Sequence, residues 1–281
     1  MSEILKLKNV SKSYEGFKLD NINLTLDSGF IMGLIGPNGS GKSTTIKLIL
    51  NLIKPDNGNI EVFGKKYPDN EKEIKNDIGF VLDQNHFYNH LTIHKMAKVI
   101  APFYDRWSFE SFYEYVDRFS LPVDKKIEVL SKGMKMKTSL AIALSHDAKL
   151  LLMDEPTSGL DPVVRDEFIS ILSELMLDER KSVIFSTHIT SDLDKIADYI
   201  VFLKDGKVVL NQTKMDILEN YSVVKGSKDI LDQITPLLIG TRIHEYGFDA
   251  LTSKKRELRN IEGIVLEKAS LDDIVVYNTR R

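Results

Sequence analysis

The chain contains no cysteine, which excludes disulfides and thiolate metal sites and fits a reducing compartment. No stretch approaches the about 18 apolar residues that a bilayer span requires. The N-terminal Met1 to Asn9 alternates apolar and charged residues and lacks the apolar core of a secretory signal. Any membrane role is therefore expected to come through a separate partner. A basic surplus is missing too: 38 Lys and Arg stand against 41 Asp and Glu, a formal net charge of -3. That balance argues against nucleic acid as a partner. There is no internal repeat and no low-complexity linker. With 42% hydrophobic and 28% charged residues the chain has the composition of a folded protein rather than a disordered one. Its 281 residues suffice for one large domain, or a medium one with a small appendage.

Leu5 and Leu7 alternate with lysines, and Ile22, Leu24 and Leu26 with polar residues, the pattern of half-buried antiparallel strands. Phe30 to Ile35 reads as a buried strand running into a glycine-rich loop, after which Ile46, Ile49, Leu50 and Ile53 predict a helix that Pro55 ends. From about 87 to 145 strand alternation disappears; Phe109, Phe112, Tyr113 and Val116 share a helical face behind Ser108, a candidate N-cap. Buried strands return at Leu150 to Met153 and Val183 to Phe185, around a helix carrying Phe168, Ile171, Leu172 and Leu175. Asp205-Gly206 between two apolar runs signals a hairpin. Strands alternating with helices predict an α/β fold with a mostly parallel sheet, an N-terminal antiparallel β subdomain and an inserted helical subdomain. After Asn211, strand-like Val223-Val224 and Ile264 to Leu266 alternate with helix-like Ile230 to Ile234 and Leu271 to Val275, a small α+β appendage. The expected division is 1–211 and 212–281.

Gly36-Pro37-Asn38-Gly39-Ser40-Gly41-Lys42-Ser43 fits G-x-x-x-x-G-K-[ST] between a strand and a helix. Such glycines let successive backbone N–H groups curl inward toward phosphate oxygens, and the helix start adds its positive end. Gly36, Asn38, Gly39, Ser40, Gly41, Lys42, Ser43 and Thr44 are the expected phosphate ligands. Lys42 would neutralise the β/γ-phosphates, and Ser43 would offer its hydroxyl to Mg²⁺. Leu150-Leu151-Leu152-Met153-Asp154-Glu155 carries two carboxylates to a strand's C-terminal end, where α/β sheets bind ligands. Asp154 is the expected Mg²⁺ ligand and Glu155 the base that polarises water.

At this point the chain resembles the ATPase subunits of ABC transporters, over about Leu5 to Leu210. The resemblance implies ATP and Mg²⁺ as cofactors and further assigns residues by motif. Tyr14 falls where the family stacks an aromatic on adenine, although a strand-end tyrosine is the alternative. Gln84 matches the glutamine that senses Mg²⁺ and faces the membrane subunit. Asp161, in Ser158-Gly159-Leu160-Asp161, matches a loop that crosses the dimer interface. His188, after Ser186-Thr187, matches the histidine that contacts the γ-phosphate. Leu130-Ser131-Lys132-Gly133-Met134 lies where the family has L-S-G-G-Q; Ser131 and Gly133 match, Lys132 and Met134 depart. The motif's wording resembles Gram-positive peptide and antimicrobial exporters. The resemblance thus implies a peripheral subunit on the cytoplasmic face, partnered by membrane-spanning subunits and a second ATPase subunit, identical or not.

A soluble ABC ATPase acting on nucleic acid or ribosomes is the alternative. Such proteins typically carry two ATPase domains or long coiled-coil insertions, and neither is present here. A GTPase reading rests on Thr213-Lys214-Met215-Asp216 alone, with no D-x-x-G between it and the phosphate loop. Glu155 and His188 together argue against a pseudo-ATPase that only binds nucleotide.

Overall fold

The computed structural model describes residues 2–82 and 87–279. Strands β1 (Glu3–Tyr14), β2 (Phe17–Asp27) and β3 (Ile31–Ile35) lead into helix α1 (Lys42–Ile49). Then come β4 (Asn57–Val62), β5 (Lys65–Lys66), α2 (Glu71–Asn76) and β6 (Ile78–Val81). Three helices follow: α3 (Ile93–Ile100), α4 (Phe109–Arg118) and α5 (Lys132–Leu144). The chain continues through β7 (Leu150–Asp154), α6 (Pro162–Leu175), β8 (Ser182–Thr187), α7 (Thr190–Ile196), β9 (Tyr199–Lys204) and β10 (Lys207–Thr213). The remainder is α8 (Lys214–Asn220), β11 (Ser222–Gly226), α9 (Lys228–Ile234), β12 (Ile239–His244), β13 (Gly247–Thr252), α10 (Lys255–Leu258), β14 (Ile264–Lys268) and α11 (Leu271–Thr279).

These strands form three sheets. The antiparallel one has the order β2-β1-β4-β5. The central one has the order β10-β9-β3-β8-β7-β6 and is parallel except for β10, which returns from β9 through the Asp205-Gly206 turn. β3, β7 and β8 are buried at every residue, as strands covered on both faces must be. One face packs against the antiparallel sheet and α1, where Leu5, Ile22, Met32, Ile46 and Ile184 share a core; the other packs against α5, α6 and α7. The fold is thus the α/β arrangement expected, with α3, α4 and α5 inserted between neighbouring β6 and β7.

Helix α1 ends earlier than the apolar spacing suggests. It stops at Ile49, and Asn51 takes a left-handed φ of 53°, so Ile53 lies outside it and Pro55 is not what ends it. A left-handed Asn is a helix terminator in its own right. Ser108 caps α4 as expected, accepting from the Ser111 N–H. Within that helix Phe112 and Val116 are buried, whereas Phe109 and Tyr113 remain partly exposed at its margin.

The third sheet, β12-β13-β11-β14, is antiparallel and belongs to the C-terminal segment. Its two faces have different partners. Val224, Phe248 and Ala250 form a satellite core with Ile234 of α9 and Leu258 of α10. Val223 and Leu251, on the other face, join Leu271, Ile274 and Tyr277 of α11 in the same core that holds Leu193 and Ile196 of α7. The segment therefore has its own small interior and also shares one with the large sheet.

Candidate nucleotide site

β3 ends at Ile35 and the phosphate loop turns on Gly36, at φ 154°, and Gly41, at φ 110°. A Cβ on Gly36 would stand 2.2 Å from the Leu203 carbonyl oxygen of β9, and one on Gly41 would stand 2.6 Å from Leu19 Cδ1. Only glycine fits there, in backbone angle and in space. Gly41 occupies the N-cap of α1 and no side chain caps that helix. The helix therefore presents its first N–H groups and the positive end of its dipole to the loop. Ser40 Oγ is buried and has no hydrogen-bond partner among the described residues. Free N–H donors, an unpartnered hydroxyl and a lysine form a donor set suited to phosphate oxygens. Ser43 and Thr44 sit half-buried in the first turn.

Lys42 is 6% exposed, and its Nζ is shared between the Gly36 carbonyl oxygen at 2.8 Å and Glu155 Oε1 at 3.3 Å. The second oxygen of Glu155 lies 2.7 Å from His188 Nδ1. The parallel order brings these three residues together, since β3, β8 and β7 are neighbours and all finish at one edge. Glu155 itself has φ 50°, a left-handed turn just past β7. Its N–H donates to the Ser186 carbonyl at 3.0 Å, which holds this costly conformation. Ser186 Oγ also donates to Asp154 Oδ1 at 2.6 Å and orients that buried carboxylate. Ser186 was missed as a site residue by sequence reasoning. Ser186 stands directly opposite Asp154 in the β7–β8 register, a pairing that no spacing in the chain announces.

Tyr14 ends β1 with its ring 6.5 Å from that of Phe17, and Lys12 Nζ lies 5.9 Å from the Tyr14 centroid. Phe17 reaches within 3.2 Å of where a Gly41 Cβ would be, so the exposed Tyr14 ring flanks the phosphate loop through Phe17. Gln84 falls outside the described residues.

Ser131, Gly133 and Asp161 form a second cluster. Ser131 caps α5 by accepting from the Met134 N–H at 3.2 Å. Asp161 caps α6, its Oδ1 accepting from the N–H groups of Val163 and Val164, each at 3.1 Å. The two helix starts touch: a Cβ on Gly133 would meet Val164 Cγ1 at 3.2 Å. Lys132 lies across Gly159, its Nζ 3.2 Å from where a Cβ would stand. The loop before α6 is anchored by Thr157, which donates to buried Asp192 of α7 at 2.7 Å, while Arg165 Nε pairs with the same carboxylate at 3.2 Å. Nothing in the sequence pattern points to that anchor. Thr213 to Asp216, the guanine-motif mimic, is a helix cap: Thr213 Oγ1 accepts from the Asp216 N–H at 3.0 Å and donates to its Oδ2 at 2.6 Å.

Among the described residues no helix is long and apolar enough to cross a membrane. The ABC transporter family model matches residues 19–158. The chain is 34% identical to the bacitracin transport ATP-binding protein BcrA of Bacillus licheniformis, over 74% of this chain and 69% of that one. It is 32% identical to the lantibiotic transport ATP-binding protein SrtF of Streptococcus pyogenes, over 74% of this chain and 90% of that one. The dimeric post-hydrolysis structure of the ATP-binding cassette MJ0796, bound to ADP and Pi, superposes with a TM-score of 0.69 at 28% identity, covering 75% of this chain and 98% of the other. With that match and the phosphate loop, Asp154 and Glu155 gathered at one sheet edge, the chain belongs to the ABC transporter family, as a nucleotide-binding ATPase subunit of a transporter.

Proposed function

We propose that the chain binds MgATP in the loop Gly36 to Thr44, closes with a second ATPase subunit, and drives export through separate membrane-spanning subunits on the cytoplasmic face. The observation that carries the catalytic part is Glu155 held between Lys42 Nζ at 3.3 Å and His188 Nδ1 at 2.7 Å. A carboxylate fixed by two such groups at the rim of a phosphate loop is suited to take a proton from water beside the γ-phosphate. A phosphate in the loop competes with Glu155 for the Lys42 ammonium, so binding itself would release the base. His188 is the more exposed of the two partners and orients the carboxylate from the solvent side. Ser43 and Asp154 would hold Mg²⁺, with Gln84 as a third ligand. A few protein oxygens together with phosphate oxygens and water suit Mg²⁺, which when bound would neutralise charge on the transferring phosphoryl group.

Closure with a second subunit is supported by the separation of the candidate residues into two clusters within one chain. Ser131 and Asp161 cap their own helices and, with Gly133 in the first turn of α5, present the starts of α5 and α6 together. They would serve the partner's nucleotide, and the partner's equivalents would serve this one. Tyr14 would stack on adenine.

The membrane partner would dock in an apolar cleft of about 310 Å³ lined by Phe80, Leu82, Phe87, Met96, Phe103 and Ile142. Phe103 and Phe80 are exposed there, which is unusual enough in a folded chain to mark a contact surface. Export of a peptide-like antimicrobial is the cargo reading, supported by the likeness to BcrA and SrtF. The division at 211 makes 212–281 an accessory unit, supported by its separate sheet and satellite core.

The test is size-exclusion chromatography of Glu155→Gln protein with and without MgATP. ATP should shift the protein to a dimer. A monomer at saturating ATP, with ATP shown to be bound, would remove the closure step.

A further inference from the structure

The C-terminal unit carries a concave basic surface that the ATPase reading does not use. Two adjoining depressions of about 490 and 480 Å³ meet between α8, α10 and β14, and share Ser222 and Lys255. Volumes of this size accommodate a small organic ligand. The second is lined by Arg256 and Arg259 as well, the first by Lys268. Four cations thus surround one trough, against one lining carboxylate, that of Glu219. Lys255 donates to the Glu219 backbone carbonyl, which fixes its stem at the junction. Among the described residues Arg256, Arg259 and Lys268 make no ion pair, although the chain as a whole is acidic and pairs many of its other lysines and arginines.

A second observation points into the same trough. Ser222 is 8% exposed and lines both depressions, and its hydroxyl makes no hydrogen bond to another described residue. Ser222 begins β11 and stands opposite Lys268 of β14 and Thr252 of β13, so its side chain and that of Lys268 rise from the same sheet face. Ser222 is thus a mostly buried residue whose hydroxyl has no described protein partner and is open to a ligand, in a trough lined by ammonium and guanidinium groups. The first depression adds an apolar wall in Met215, Leu218 and Tyr221.

From this arrangement we infer that the C-terminal unit binds a small organic phosphate, its anionic end held by Ser222, Lys255, Arg256 and Arg259 and its apolar body lying along Tyr221 and Leu218. Arg is suited to the phosphate end because its planar fork meets two oxygens at once. The site is separate from the phosphate loop, yet it lies next to the shared core: Ser222 faces the trough while the next residue, Val223, is buried with Leu193 of α7.

The experiment is isothermal titration of the full chain with inorganic pyrophosphate and, separately, with a nonhydrolysable ATP analogue. Lys42→Ala is used as background to silence the phosphate loop. Pyrophosphate should still bind that protein at one site. Arg256→Gln with Arg259→Gln should weaken the remaining binding at least about tenfold, and Ser222→Ala by about tenfold. Both arginines are exposed, so folding survives, as a far-UV circular-dichroism melt will verify. If the trough prefers an organic phosphate, the ATP analogue should bind Lys42→Ala protein more tightly than pyrophosphate does, with the same dependence on Ser222. No pyrophosphate binding in the Lys42→Ala background overturns the inference. So does binding indifferent to Ser222→Ala, which would mark a diffuse charged patch, or an analogue no tighter than pyrophosphate, which would leave the apolar wall without a role.

Discussion

In the proposed mechanism Glu155 and Lys42 would divide the labour of the site, and their variants should separate cleanly. Glu155→Gln keeps the size and one acceptor of the side chain while removing its basicity. Nucleotide binding should persist and steady-state turnover should fall about 100-fold or more; a phosphate-release assay beside an ATP-binding isotherm reads both. Lys42→Ala should instead abolish ATP binding at the phosphate loop, because the only cation buried in the loop is lost. Titration with a nonhydrolysable ATP analogue in protein that also carries Arg256→Gln and Arg259→Gln, so that only the loop is read, would contradict that role if the affinity stayed near wild type. Neither role depends on geometry invisible in the sequence, since the loop spacing and the Asp-Glu pair announce them. What could not be read was the support: Ser186 turned onto Asp154, and Asp192 holding Thr157 and Arg165. These depend on strand register and on a helix that returns from elsewhere, neither of which leaves a spacing in the chain.

His146 has a different consequence at the same scale. It is buried, its ring is stacked on Tyr104 at 3.8 Å, and its Nε2 has no partner among the described residues. Burial lowers its pKa from 6.5 to about 4. The unfolded chain therefore takes up the proton more readily than the folded one. Stability is intact above pH 6.5 and falls as pH drops toward 4, by up to about 3 kcal/mol. His146→Phe should flatten that window. Urea melts at pH 7.5 and pH 5 measure it, and an unchanged pH dependence in the variant would assign the loss to other groups.

At the scale of elements, the cap at Ser108 was legible in the sequence, whereas Thr213 read only as a guanine-motif mimic. Ser108, Ser131 and Thr213 each cap a helix by the rule that short oxygen side chains accept from exposed first-turn N–H groups. Asp161 does so twice over, which ties a residue expected at the dimer interface to the start of α6. Asp161→Ala should cost about 1 kcal/mol by loss of the cap alone. Asp161→Asn keeps an acceptor and should recover most of that stability. If it does so while ATPase activity stays low, the carboxylate has a role beyond the cap; thermal melts with parallel activity assays distinguish the two. The end of α1 was the least legible boundary. Ile53 kept the helical spacing, but spacing carries no information about the left-handed Asn51 that stops the helix.

For the molecule as a whole, the question is how far residues 212–281 stand apart. Their strand and helix pieces were readable as pieces, but not their pairing into one antiparallel sheet with two different faces, because that depends on long-range register. β10 itself runs to Thr213, so a chain ending at Asn211 trims its last two residues. Such a chain also loses Leu271, Ile274 and Tyr277, which share a core with Leu193 and Ile196, and the hydrogen bond between Thr190 and Asp272. Lys204 would lose the carbonyls of Asn278 at 3.0 Å and Thr279 at 3.2 Å. Uncovering several buried apolar side chains costs on the order of 5 kcal/mol, a large share of the stability of an ordinary domain. The phosphate loop, in contrast, takes its contacts from Leu19, Phe17, Leu203 and Glu155, all of which remain. A chain ending at Asn211 should therefore melt well below the full chain yet still bind ATP when folded. Replacing Ile196 with threonine in the shortened chain gives a second version with less uncovered apolar surface, should the first aggregate. Nucleotide affinity of whichever version passes circular dichroism is the measurement. A folded shortened chain that binds no ATP would mean that the C-terminal unit is part of the nucleotide-binding domain and not an accessory to it.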